Sequence, residues 1–172
     1  MIQIPIDNIS KYAISCIWFI LPAYVGNMAP VFAKRIFKDR FSTPIDLNIN
    51  FRKSPIAGKN KTYRGVIAAI FLSTVVVLIQ KSAYFDPYIQ SISLINYSKI
   101  NWLLWGFLMG MGAMLGDFLK SVIKRRIGKK PGESWKPLDQ IDFLVGALVL
   151  CSPLYLPPIN IILGIFVLLP SI

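Results

Sequence analysis

Long apolar runs separated by compact polar stretches dominate the chain. Four or five such runs stand out: 12–33, 66–79, 100–119, 141–156 and, after Pro157-Pro158, the stretch that ends at Ile172. A helix crossing the hydrocarbon core of a bilayer needs about 20 mainly apolar residues. The first and third runs satisfy this outright, and the second does so when it extends through Tyr84 and Phe85. The last two are short, and Ser152-Pro153 with Pro157-Pro158 predicts a tight turn between them. The first run is too long for a secretory h-region of about 7–15 residues, so it is read as a retained helix. The expected architecture is an all-α integral membrane protein with about five transmembrane helices, folded as a single polytopic domain over residues 1–172.

Composition agrees and adds a second theme. Of 172 residues, 55% are hydrophobic and only 16% charged, where soluble domains run nearer a quarter. Mean hydropathy is +0.57. Yet the net charge is +11, from 19 Lys+Arg against 8 Asp+Glu. The cations are segregated: nine fall in 34–65 and seven in 120–137, so 16 of 19 lie in two segments. With spans at 12–33, 66–85 and 100–119, both segments fall on one side of the membrane. The positive-inside rule makes that side the cytoplasm and puts the N-terminus outside. The segment 34–65 has Pro44, Pro55, Gly58 and Gly65, and is too long for a simple connection. These charges belong to interhelical loops of a cell-membrane protein, so no nucleic-acid polymer is expected as partner. Oligomeric state is left open.

The chain has no histidine, which excludes histidine triads, imidazole bases and His-ligated metal. Cys16 and Cys151 each sit in an apolar run and read as small buried side chains, with a disulfide between them left open. Chemistry must then come from carboxylates and cations. Asp117 lies near the end of the third run, and Asp139 and Asp142 lie at the start of the fourth, on one helix face by their i, i+3 spacing. Asp139 in a first helical turn is explained by the helix dipole alone. Asp117 at a helix C-terminus is not, and ionisable groups at membrane depth mark a functional site or a partner. Carboxylates beside a dense cationic loop suggest Mg²⁺ and a phosphorylated substrate. A plain basic face for anionic lipid is the alternative, and it accounts for the cations without the carboxylates. Gly106/Gly110 and Gly112/Gly116 are two GxxxG pairs, read as close-packing sites. The Lys-Thr pair in Gly58-Lys59-Asn60-Lys61-Thr62 lacks Walker A spacing.

Several segments together resemble the CDP-archaeol synthases, archaeal relatives of the bacterial CDP-diacylglycerol synthases. They are Gly116-Asp117-Phe118-Leu119-Lys120-Ser121-Val122-Ile123-Lys124-Arg125-Arg126, then Lys129-Lys130-Pro131-Gly132 and Asp139-Gln140-Ile141-Asp142. Leu21-Pro22-Ala23-Tyr24-Val25-Gly26-Asn27-Met28-Ala29-Pro30, Pro44-Ile45-Asp46 and Gly58 to Gly65 extend the likeness over about residues 21–147. Relative to the bacterial branch, Lys120 replaces an acidic residue before the serine, and Glu133-Ser134-Trp135 stands where a His-Gly-Gly turn occurs. The resemblance implies a CTP-dependent cytidylyltransferase. A lipid phosphate, 2,3-di-O-geranylgeranyl-sn-glycerol 1-phosphate, would attack the CTP α-phosphate and release pyrophosphate, with the active site facing the cytoplasm. It implies Mg²⁺ on Asp117, Asp139 and Asp142. Lys124 and Arg125 are expected to act in catalysis by neutralising phosphate charge. Asn27, Asn60, Lys61, Thr62, Arg64, Arg126 and Lys130 are expected to bind the nucleotide. Two other classes are the alternatives: a CDP-alcohol phosphotransferase, whose DGxxAR…GxxxD pattern is absent, and a transporter or channel subunit, which should place polar groups at the membrane midplane.

Overall fold

The computed structural model describes residues 9–47, 49–51, 54–129, 133–135 and 138–168. It contains α1 (Ile9–Phe37), β1 (Asn50–Phe51), β2 (Ser54–Pro55), α2 (Tyr63–Ala83), α3 (Pro87–Ile92), α4 (Trp102–Arg126), α5 (Leu138–Cys151) and α6 (Ile159–Leu168). α1, α2 and α4 are long and apolar enough to cross a membrane. At 14 residues, α5 is shorter than the expected span 141–156; α6 covers 159–168 of the expected 159–172, whose last four positions lie outside the described residues. The prolines expected to separate them do so, in the turn between Cys151 and Ile159.

The helices run further into the basic segments than the expected loop boundaries at 34 and 120, so both loops begin later. α1 carries Lys34 and Arg35 in its last turn, and α4 runs on through Lys124, Arg125 and Arg126. Lys and Arg are good helix formers, and cations near a helix C-terminus oppose its dipole favourably. α4 therefore runs to Arg126, and its end is closed over Gly128, whose φ of +83° suits glycine. There the Gly128 N–H reaches the Arg125 carbonyl and the Lys129 N–H reaches that of Lys124, a paired closure of the last turn.

The two glycine pairs serve two different partners. A Cβ on Gly106 would stand 2.6 Å from Thr74 Cα, and one on Gly110 would stand 2.8 Å from Ile70 Cα, so this face lies directly on α2. A Cβ on Gly112 would meet Ala147 Cα at 2.6 Å, and one on Gly116 would run into the Asp142 carbonyl oxygen. α4 is thus pressed between α2 and α5, antiparallel to both. Away from the basic end, Phe19, Trp105 and Tyr155 pack ring against ring at 5.9–6.5 Å between centroids. Nearby, buried Gln80 donates to the Trp18 carbonyl (2.6 Å) and accepts from the Tyr97 hydroxyl (2.9 Å), tying α1, α2 and the 93–101 connection together. Cys16 and Cys151 are both buried free thiols, which answers the open question about a disulfide.

The long first basic segment is folded, and its short ladder is the exception to an all-helical chain. Its ends close as a stem: the Ile45 N–H donates to the Lys61 carbonyl (2.7 Å) and the Tyr63 N–H to that of Thr43 (3.1 Å). Beyond the stem, β1 and β2 pair antiparallel. Inside it, the buried carboxylate of Asp46 accepts from the N–H groups of Ala57 (3.0 Å) and Gly58 (2.9 Å). Gly58 has φ +107°, a conformation that side chains rarely adopt, so the turn leading to Lys59-Asn60-Lys61 depends on glycine there.

Candidate active site

The close approach of α5 to α4 at Gly116 brings the acidic residues together. Asp117 and Lys120 lie on the face of α4 toward α5, and Asp139 and Asp142 face back from the first two turns of α5. The Lys120 ammonium is their meeting point. It lies 3.2 Å from Asp117 Oδ1, 3.2 Å from Asp139 Oδ1 and 2.7 Å from Asp142 Oδ2. Two further cations brace the cluster from outside. Lys61, delivered by the stem of the first loop, pairs with Asp117 Oδ2. Lys124, one turn beyond Lys120, lies 3.1 and 3.3 Å from the two Asp139 oxygens and also donates to the Glu133 carbonyl. Asp139 is further oriented by the Trp135 N–H at 2.5 Å. The Ser121 hydroxyl is turned back onto the Asp117 carbonyl.

Beside the cluster is a polar cavity of about 200 Å³, bounded by the 57–61 turn, Asp117, Lys120, Lys124, Arg125 and Asp139. It shares Lys59, Asn60, Lys61 and Asp117 with a larger cleft of about 680 Å³, which extends past Asn27, Thr62 and Arg64 to Lys34 and Lys38. Two apolar grooves flank this region. One, of about 400 Å³ between α4 and α5, is walled by Leu115, Leu119, Ile123 and Val145 and ends at Lys120 and Asp142. The other, of about 720 Å³ between α1 and α2, carries Phe32, Ile36, Phe37 and Phe71 and reaches Arg64.

The residues singled out from sequence fall into distinct sets. Asp117, Asp139, Asp142, Lys124 and Lys61 are in the cluster, and Arg125 lines the cavity with its guanidinium donating to the Lys129 carbonyl. Asn60 lines both spaces, and Asn27 lines the larger one. Thr62 caps α2, its hydroxyl accepting from the Gly65 N–H at 3.2 Å. Arg64 is committed elsewhere, donating to the carbonyls of Lys38 and Arg40 where the chain leaves α1. Arg126 is exposed at the end of α4. Lys130 lies outside the described residues. Sequence reasoning passed over Lys120 as a departure from a pattern and gave Asp46 no role of its own. For Lys120 a signal was present, since i, i+3 spacing puts it on the same helical face as Asp117.

Three carboxylates directed at one point are suitable donors for a hard divalent ion such as Mg²⁺. The Lys120 ammonium is a cation already standing at that point, and it shows that the oxygens reach it. Among the described residues no group of three metal-ligating side chains stands ready to hold a metal ion; the three carboxylates surround an ammonium.

Fold and site together define the class: a helical membrane protein with a carboxylate–ammonium cluster and a cation-lined cleft at one end of its helices. Comparison with known proteins gives the family. The CarS-like family, described as CDP-archaeol synthase, matches residues 9–172, and the chain belongs to it. A CDP-archaeol synthase of Methanococcus maripaludis is 38% identical over 92% of this chain and 85% of its own length. One from Pyrococcus furiosus is 36% identical over 90% and 84%. A solved structure of an intramembrane enzyme for archaeal membrane lipid biosynthesis superposes with a TM-score of 0.69. It is 24% identical, covering 87% of this chain and 84% of that one, and it supports the fold.

Proposed function

We propose that this chain makes CDP-archaeol, catalysing attack of an unsaturated ether-lipid phosphate on the α-phosphate of CTP. A lipid phosphate oxygen forms the new bond to α-phosphorus, the bond from α-phosphorus to the β-phosphate bridge breaks, and pyrophosphate leaves. Family membership supports the reaction class. The structural observation that carries the reading is the convergence of Asp117, Asp139 and Asp142 at the edge of a cleft lined by Lys59, Lys61, Lys124 and Arg125. The attacking group is already anionic, so the step needs positioning and charge neutralisation rather than a base. A chain without histidine is suited to that.

Asp117, Asp139 and Asp142 would hold Mg²⁺, which when bound polarises the nucleotide phosphates and offsets their charge. Lys61, Lys124 and Arg125 line the space where the remaining phosphate charge would lie. Asn27, Asn60 and Thr62 offer polar contacts in the larger cleft, whose size suits a nucleotide. The α4–α5 groove is the better path for the lipid tails, because its end at Lys120 and Asp142 sets a headgroup beside the cluster. The basic ends of α1 and α4 are assigned to the cytoplasm with the N-terminus outside, on the positive-inside rule. With α5 and α6 as the remaining spans, the chain would be a five-span, single-domain enzyme of the cell membrane.

The test is direct. Purified protein in detergent is given CTP, Mg²⁺ and the geranylgeranyl ether-lipid phosphate, and CDP-lipid and pyrophosphate are measured. Equal amounts of both are expected, and Asp117→Asn or Asp139→Asn should abolish turnover while leaving a folded protein. No product from the wild type overturns the reading, and near-normal turnover in either variant removes that residue from the site.

A further inference from the structure

Lys120 has no part in the reaction as set out above, yet it is the group on which the cluster centres. Its side chain is 13% exposed and faces three carboxylates at 2.7–3.2 Å. Asp117 and Asp139 each have a second cation, Lys61 and Lys124. Asp142, only 7% exposed, has Lys120 as its ion-pair partner among the described residues. Lys120 therefore offsets negative charge that the fold would otherwise bury without compensation, which is strongly unfavourable.

A divalent ion of the Mg²⁺ type needs oxygen ligands at about 2.0–2.1 Å. It cannot take the same carboxylate oxygens while an ammonium stands among them, because two like charges at such separations repel strongly. Lys120 has somewhere else to go. Its flexible four-carbon stem lines the polar cavity as well as the mouth of the α4–α5 groove, so the ammonium can turn outward without unfolding α4.

We propose that Lys120 is the resident counter-ion of the carboxylate site: it holds Asp117, Asp139 and Asp142 together when no divalent ion is bound, and an incoming divalent ion must displace it. Lys120 is thus a positioning residue that keeps the empty site assembled and weakens metal binding in the absence of nucleotide. The inference rests on the assignment of the three carboxylates as metal ligands, but not on the identity of the nucleotide or lipid.

The experiment uses the full chain in detergent with no CTP and no lipid, so a wrong substrate leaves it unaffected. Mn²⁺ is titrated and the free ion is followed by electron paramagnetic resonance, and thermal unfolding is recorded with chelator and with Mn²⁺. Lys120→Met should bind Mn²⁺ at least about tenfold more tightly than wild type, about 1.4 kcal/mol. In chelator it should unfold at a lower temperature than wild type, and Mn²⁺ should raise its melting temperature by more than it raises that of the wild type. Lys120→Arg, which keeps the cation, should bind Mn²⁺ no more tightly than wild type. Equal or weaker Mn²⁺ binding by Lys120→Met overturns the proposal. So does tighter binding by Lys120→Arg, which also decides the matter if the methionine variant fails to fold with and without metal. Absence of saturable Mn²⁺ binding to every form overturns the proposal together with the metal assignment, while the CDP-lipid assay reports separately on the reaction.

Discussion

Replacing Gly116 with alanine adds one methyl group at the point where α4 and α5 touch most closely. That methyl would run into the Asp142 carbonyl oxygen, standing 2.8 Å from its carbon and 3.2 Å from Phe143 Cα. All three neighbours are backbone, so no side-chain rotation makes room. Ordinary contact begins at 3.4 Å, so the carbonyl carbon alone requires α5 to withdraw by at least 0.6 Å. The Lys120 ion pairs with Asp142 and Asp139, at 2.7 and 3.2 Å, would lengthen accordingly, which weakens both. Overpacking of this kind costs about 1–3 kcal/mol. At about 2–4 °C per kcal/mol for a chain of this size, the melting temperature should fall by several degrees. Misplacement of reacting groups by about 1 Å costs on the order of 100-fold in rate. Gly116→Ala should therefore lose at least about tenfold in kcat per folded molecule. Gly106→Ala is the control: its Cβ would meet Thr74 Cα on α2 at 2.6 Å, about 15 Å along α4 from Gly116. It should lose comparable stability yet keep kcat within about threefold, since the α4–α5 contact is untouched. The assay is CDP-lipid formation normalised to folded protein, with melting recorded on the same samples. Wild-type turnover in Gly116→Ala, or an equal loss in Gly106→Ala, would refute the argument that this glycine sets the carboxylate geometry.

Asp46→Ala removes the acceptor for the Ala57 and Gly58 N–H groups, each such charged hydrogen bond being worth about 1.5–3 kcal/mol. The turn carrying Lys59, Asn60 and Lys61 should loosen, so KM for CTP should rise about tenfold with a smaller change in kcat; an unchanged KM in steady-state kinetics would remove Asp46 from the support of the site. Ser134, exposed between α4 and α5, tests orientation: in sealed vesicles of known sidedness, Ser134→Cys should react with an impermeant maleimide only from the cytoplasmic face, and labelling from outside would invert the topology.

Much of the candidate site was legible before any coordinates, because charge in an apolar chain is conspicuous. Asp142 was marked by an immediately apolar sequel, Phe143-Leu144-Val145, and Asp117 by its depth in an apolar run; the helix end expected at Asp117 is not there, because α4 continues to Arg126. Arg64 shows the limit of this reasoning. It stands in a basic motif like Lys61, but its guanidinium serves two backbone carbonyls at the exit of α1. Composition cannot distinguish a cation directed into a cleft from one that closes a loop.

The amino-acid sequence by itself determined the apolar helices, the collection of cations at one end of them, and the exclusion of histidine chemistry. These are sums over neighbouring residues, and hydropathy, proline placement and loop charge report them without reference to distant partners. Only the tertiary structure decided which groups meet. Lys61 and Asp117 are 56 positions apart and are joined because a folded loop stem returns to α4. Lys120 became the centre of the cluster because Gly116 admits α5 to contact, fixing the rotation and depth of both helices. Direct ion pairs need nitrogen and oxygen within about 4 Å, so they depend on those relative positions, which no local pattern along the chain encodes.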